Sequence, residues 1–232
     1  MADETTREEV SFLASKSAGN VSGIVLRPAR PASFLVLAHG AGAGMRHAFL
    51  EALAARLAAG GVATLRWQFP YTEKGSRRPD PQPILLAAVR SAAATGRALA
   101  GDLPLFAGGK SMGGRMTSLA AAKESLPDVR GLVFFGFPLH PAGKPSIERA
   151  AHLASTAVPL LFLQGTRDTL ADLTLLRPMC EGLGARAELR IFDDADHSFH
   201  VRKKSGRDDD AILTELAAAA ATWMRGLGKE RA

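Results

Sequence analysis

The chain has 232 residues, 47 % hydrophobic and 22 % charged, with a formal net charge of +6 and a pI of about 9.9. That length can bury a large core, and the ordinary globular balance excludes a disordered or fibrous chain. No apolar run reaches membrane-spanning length, residues 1–9 lack a basic-then-apolar leader, and a single cysteine, Cys180, excludes an intramolecular disulfide. A cytoplasmic protein forming one α/β domain over 1–232 is therefore expected, with 1–9 as a flexible N-terminus. The basic residues are scattered and not interleaved with aromatics, so no nucleic-acid platform is expected.

Residues 12–17 and 21–27 read as strands around the turn Ala18-Gly19-Asn20, an antiparallel hairpin at one sheet edge. Residues 34–38 form a continuous apolar strand ending in His39-Gly40-Ala41-Gly42. A helix over 48–59 stops at Gly60-Gly61, a strand covers 62–69, and 70–83 is a loop with four prolines. A helix over 84–100 leads to a short strand over 103–107. Then come Gly108-Gly109-Lys110-Ser111-Met112-Gly113-Gly114 and a helix over 115–125. The strand 131–137 is followed by a proline- and glycine-rich loop, 138–145, and a short helix, 147–154. The strand 158–164 runs into Gly165-Thr166-Arg167-Asp168, and a helix over 172–183 follows, in which Cys180 has a packing role. The strand 187–192 runs into 193–197, and a helix over 209–225 closes the series. Strands alternating with helices argue for a mostly parallel sheet of about eight strands with helices on both faces.

In such sheets the site lies beyond the carboxyl ends of the strands. Four clusters fall there: His39 to Gly42, Gly109 to Gly113, Asp168 and His197. Strand, Gly-x-Ser-x-Gly, helix is the context of a nucleophile elbow, which pushes Ser111 out of the sheet. A serine hydroxyl needs a histidine base, and the base needs a carboxylate to hold its tautomer. The chain offers Ser111, Asp168 and His197 in that order, each just past a strand. His200 sits deeper in its loop; His39, His47, His140 and His152 stand in the wrong order or element. Asp172 is the nearest rival acid, while Asp193, Asp194 and Asp196 lie too close to His197 in sequence. The oxyanion donors expected are the backbone N–H groups of Met112 and Ala41. Gly109-Lys110-Ser111 also matches the end of a phosphate-binding loop, but the required earlier glycine is Pro104, which rejects nucleotide binding. Lys110 is expected to point beneath the sheet edge or to pair with a carboxylate such as Asp102 or Asp193.

The segments LVLAHGAG, FAGGKSMGGR, FFGFPLHPAGKP, LFLQGTRD and DADHSF span residues 35–199. On them the chain resembles the α/β-hydrolase superfamily, and most closely a compact bacterial branch near the dienelactone-hydrolase type. It is also similar to a subunit of a eukaryotic chromatin-modifying complex. The resemblance implies the α/β-hydrolase fold, with Ser111 as nucleophile, Asp168 as acid and His197 as base. It departs from dienelactone hydrolases at the elbow, where those look like cysteine enzymes. The short segment 138–157 implies a minimal lid and an open site. Its walls are expected from Gly40, Trp67, Phe69, Tyr71, Phe137, Leu139 and His140, with Trp67 and Phe69 on one side of their strand.

The activity expected is serine hydrolysis of small esters or thioesters through an acyl-enzyme, without cofactor or metal. The expected partner is a small-molecule ester, with no nucleic acid and no membrane; a homodimer stays open. The alternatives are a non-catalytic or weakly active scaffold on the same fold, and a peptidase, ranked lower because nothing supplies a propeller or lid to filter peptides.

Overall fold

The computed structural model describes residues 4–229. Eight strands form one sheet: β1 (Thr6–Ser15), β2 (Gly19–Arg27), β3 (Ser33–Ala38), β4 (Val62–Trp67), β5 (Leu105–Lys110), β6 (Val129–Phe135), β7 (Leu160–Gly165) and β8 (Ala187–Phe192). Their spatial order is β1-β2-β4-β3-β5-β6-β7-β8. β2 runs antiparallel to β1 and β4, and every pairing from β4 through β8 is parallel. The carboxyl ends of β3 and β5 to β8 therefore share one edge. β3, β4 and β7 are buried along their whole length, as the continuous apolar runs of a strand covered on both faces require.

Six helices cover the sheet: α1 (Ala48–Ala59), a one-turn α2 (Pro70–Glu73), α3 (Gln82–Ala100), α4 (Met112–Lys123), α5 (Leu173–Gly182) and α6 (Asp209–Lys229). α1 and α6 pack together on one face, over Leu35, Leu37, Phe106, Val133 and Leu161. α3, α4 and α5 cover the other, over Phe34, Val36, Leu132, Phe134 and Phe162. The 136–159 connection between β6 and β7 contains only the 3-10 helix Glu148–Ser155, so no helical lid is inserted. None of the helices among the described residues is long and apolar enough to cross a membrane.

Two local expectations are corrected. Residues 1–3 of the expected flexible N-terminus lie outside the described residues, but Thr6 to Glu9 are in β1, paired with Arg27 to Ile24. β1 is an edge strand with exposed faces there, so its ladder holds Arg7, Glu8 and Glu9 without any apolar alternation to reveal it. The second concerns β5, which does not stop at Ala107 but continues through Gly108 and Gly109 to Lys110. The glycines are themselves strand residues, squeezed between β3 and β6.

Candidate active site

The elbow is built by exclusion. A Cβ on Gly109 would come within 2.4 Å of the Ala38 carbonyl oxygen, and one on Gly113 within 2.5 Å of the same atom. Neither position tolerates a side chain, so α4 can start directly against the ends of β3 and β5. Between them Ser111 takes φ 51° and ψ −119°, a strained backbone that costs about 1–3 kcal/mol. Its N–H is tied to the Phe135 carbonyl at 3.2 Å and its own carbonyl accepts from Arg115 N–H at 3.1 Å.

The three residues singled out in the sequence meet here. His197 Nε2 lies 2.8 Å from Ser111 Oγ, and His197 Nδ1 lies 2.7 Å from Asp168 Oδ2. The Asp168 side chain is fully buried and the imidazole is 24 % exposed, so the relay runs from interior to surface. Asp168 is held on both oxygens: Leu170 N–H donates to Oδ1 at 2.8 Å, and the Gln164 amide donates to Oδ2 beside the imidazole. Both carboxylate oxygens thus have protein donors where the side chain is closed to solvent. The rival groups are engaged elsewhere. His200 pairs with Asp209 at 2.8 Å on the surface, and Asp172 caps α5 through Thr174 N–H at 2.8 Å.

The His39 loop packs against the elbow, with Gly40 facing Ser111 Cβ and the Lys110 carbonyl. Its conformation is set from inside. Fully buried His39 places Nδ1 2.7 Å from the Gly40 carbonyl oxygen, and its Nε2 accepts from Phe69 N–H at 3.1 Å. Only the neutral imidazole with hydrogen on Nδ1 satisfies both contacts, and burial pushes the His39 pKa down to about 4. No peptide bond here is cis. The Ala41 N–H therefore points opposite to the pinned Gly40 carbonyl across their shared plane. Farther along the loop, buried Arg66 donates to the Met45 carbonyl at 2.8 Å and Gln68 accepts from Met45 N–H at 2.9 Å.

Ser111 opens onto a cavity of about 400 Å³, lined by Gly40, Ala41, Phe49, Leu50, Leu170 and His197 among others. Of the expected walls only Gly40 is there. Trp67, Phe69, Tyr71, Phe137 and Leu139 are fully buried core residues. β4 ends at Trp67 and the chain turns into α2, which tucks Phe69 and Tyr71 under the His39 loop; their rings lie 5.0 and 6.0 Å from that of His39. Trp67 and Phe69 do share a side, with rings 4.4 Å apart, but it faces the core. His140 lines a neighbouring cavity and accepts from Asp172 N–H at 2.8 Å. The aromatic wall that sequence reasoning missed is Phe49; its only signal is a position just inside a helix that follows the His39 loop.

Lys110 pairs with neither Asp102 nor Asp193. Its ammonium donates to the His197 carbonyl at 2.6 Å, and the carboxylates acting on it are Asp168 and Asp196. Cys180 is free and buried in α5, where burial pushes its thiol up to about 12. A second serine–histidine pair, Ser118 and His152, lies 2.7 Å apart between α4 and the 3-10 helix; neither residue lines the cavity at Ser111.

A family model described as an alpha/beta hydrolase domain matches residues 31–225. Among solved structures, the chain is similar to a dienelactone hydrolase from Anabaena variabilis, with TM-score 0.74 and 22 % identity over 94 % of this chain and 96 % of that one. An α/β serine hydrolase homologue from Coxiella burnetii matches with TM-score 0.72 and 19 % identity, covering 92 % and 96 %. An α/β serine hydrolase without lid from Xanthomonas campestris matches with TM-score 0.69 and 20 % identity, covering 93 % and 95 %.

Proposed function

The chain belongs to the alpha/beta hydrolase family, and from that premise we propose that it is a serine hydrolase of small esters or thioesters. The observation that carries the proposal is the relay from Asp168 through His197 to a strained Ser111 at the mouth of a cavity. In the first step Ser111 Oγ attacks the substrate carbonyl carbon while His197 Nε2 takes the hydroxyl proton. Asp168 holds Nδ1–H and stabilises the imidazolium. The carbonyl oxygen, now negative, accepts from the backbone N–H groups of Met112 and Ala41, the first a free donor of α4 and the second aimed by His39. Collapse breaks the bond to the alcohol or thiol, which leaves with the proton from His197. Water, deprotonated by the same nitrogen, then hydrolyses the acyl-Ser111.

The cavity supports the substrate class. Ala41, Phe49, Leu50 and Leu170 offer an apolar surface to a small acyl group, and no residue of the 136–159 connection covers it. A scaffold reading of the same fold requires a distorted triad or a filled pocket, and both features run the other way here. The similar proteins include a dienelactone hydrolase and an esterase domain from Rhodothermus marinus, which agrees with ester chemistry. A free, buried Cys180 fits the reducing cytoplasm, where the same proposal places the protein.

The test is labelling by a fluorophosphonate probe, with the modified residue located by mass spectrometry, beside a p-nitrophenyl ester series of increasing chain length. Labelling at Ser111 and a preference for short acyl chains are expected. An unlabelled native protein, or ester activity that survives Ser111→Ala, sinks the proposal.

A further inference from the structure

Lys110 sits inside the elbow sequence, yet the mechanism above does not use it. Its side chain leaves the end of β5 and passes under His197. There the ammonium donates to the His197 carbonyl at 2.6 Å. It lies 6.0 Å from the centre of the Phe49 ring and 5.6 Å from that of Phe199. The space is reserved by Gly136, at φ 71° after β6. A Cβ there would stand 3.2 Å from Lys110 Nζ, 3.5 Å from the His197 carbonyl oxygen and 3.6 Å from Asp168 Oδ2. Ammonium, carbonyl and carboxylate thus converge beneath the imidazole, roofed by two aromatic rings.

We propose that Lys110 is a positioning residue for the triad: its ammonium holds the His197 turn from below and balances the buried charge of Asp168. The proposal rests on reading Ser111, His197 and Asp168 as a catalytic triad. The start of the turn is tied to the loop after β7, where Arg167 N–H donates to the Ala195 carbonyl at 2.9 Å and Asp194 N–H donates to Thr166 Oγ1 at 2.8 Å, and Val201 N–H, just past it, donates to Asp209 Oδ1 at 2.9 Å. Asp196 Oδ1 accepts from Ser198 N–H at 2.8 Å and from His200 N–H at 3.0 Å, and Phe199 is forced to φ 64°. The Asp196 contacts shape the turn internally; the Lys110 bond ties it to the strand that carries Ser111. Nucleophile and base are thereby referenced to the same short segment of β5.

The charge has a second consequence. The charged groups acting on Lys110 are Asp168 from the turn after β7 and Asp196 from the turn after β8, with His197 above it; the start of α1 brings Phe49 and the cap residue His47 to the same cavity, and Gly136 follows β6. A cation beside an imidazole disfavours the imidazolium. Removing the Lys110 cation leaves the buried Asp168 carboxylate, the charge directly behind the imidazole, without its counter-charge. Burial pulls the ammonium down to about 8, and Asp168 opposes that shift.

The test compares wild type with Lys110→Met, a near-isosteric apolar replacement, and Lys110→Gln, which keeps a donor without charge. In Lys110→Met the acid limb of kcat/KM should move up by about one pH unit. Its kcat should fall about tenfold with little change in KM, because the base is less well placed. Its melting temperature should fall modestly, because the His197 carbonyl and the Asp168 carboxylate lose a partner, but the displaced acid limb and the lower kcat should persist well below the melting transition. Lys110→Gln should show the same displaced acid limb with a smaller loss of kcat. An unmoved acid limb in both variants overturns the proposal, as does activity lost only in step with melting temperature. Turnover is not needed for the second readout, the pH midpoint of the low-field proton between Asp168 and His197, followed by proton NMR in a Ser111→Ala background. A midpoint that rises on adding Lys110→Met supports the proposal, and an unchanged one overturns it. Absent fluorophosphonate labelling of the wild type sinks the triad reading instead.

Discussion

Two serine–histidine pairs touch the same helix at almost the same distance, 2.8 Å for Ser111 and His197 and 2.7 Å for Ser118 and His152. Only the first has the surroundings that the proposed chemistry needs. Ser111 precedes α4 in a strained backbone and opens onto a cavity, whereas Ser118 is fully buried in the middle of α4. His197 has a buried carboxylate on its far nitrogen; His152 has no carboxylate partner among the described residues. Its neighbour is Arg115, which together with burial drives the His152 pKa down to about 4. The Ser118 hydroxyl already has a backbone acceptor, the Arg115 carbonyl at 3.0 Å. A hydrogen-bond length therefore identifies neither a nucleophile nor a base. What separates the pairs is strain, access and the charge behind the ring.

The sharpest way to break that contrast is to remove each hydroxyl. Ser111→Ala should lower p-nitrophenyl ester turnover by a factor on the order of 10⁴ or more, with all fluorophosphonate labelling lost. Next in size is the carboxylate that only the first pair owns. Asp168→Asn keeps the shape but places an amide where His197 Nδ1–H must donate, which should cost about 10⁴ in kcat. Retained turnover in Asp168→Asn would mean that the charge behind the ring does not distinguish the pairs.

The first pair was legible in the sequence and the second was not singled out, for physical reasons. Ser111, Asp168 and His197 each follow a buried strand, and a parallel sheet brings strand ends to one edge whatever the loops do. The walls of the cavity obey no such rule. Phe49 and Leu50 come from the start of α1 and Leu170 from the turn after β7, so their convergence depends on how helices pack. Trp67 and Phe69 alternate as a strand pattern predicts, but alternation does not say which side is core. Lys110 finds a backbone carbonyl 87 residues away, and every residue has a carbonyl, so no sequence signal marks the partner. Thr6 to Glu9 hide for the opposite reason: an exposed edge strand needs no apolar pattern.

A smaller effect separates activity from stability through pH. His39 and His152 both fall from an ordinary 6.5 to about 4, first through burial. On unfolding each returns toward 6.5, so between 4 and 6.5 the unfolded chain binds the extra protons. Stability from these groups is complete above 6.5 and is lost as pH falls toward 4. For buried His39 the loss should be on the order of 3 kcal/mol. Denaturant melts at several pH values between 4 and 7 should show it. His152→Gln should flatten part of that slope while leaving the pH profile of hydrolysis unchanged. A displaced activity profile in His152→Gln would give the second pair a part in catalysis.

Ser118→Ala should have the smallest effect, and its sign of failure is clear. Removing the hydroxyl frees the Arg115 carbonyl, which helical bonding can still engage, and leaves His152 Nε2 without its 2.7 Å neighbour. An unmet buried polar group costs about 1–3 kcal/mol, and His152 is only half-buried, so about 1 kcal/mol is expected, or a fall of about 2–4 °C in melting temperature. Ester turnover should stay within about twofold of wild type, because α4 begins at Met112, next to glycines that Ser118 does not touch. Calorimetry and the p-nitrophenyl assay on the same sample decide it. A large loss of turnover at an unchanged melting temperature would move the nucleophile to Ser118. The strain at Ser111 would then be without chemical purpose, whereas a stability loss alone leaves Ser118 and His152 as the clasp that packs the 3-10 helix against α4.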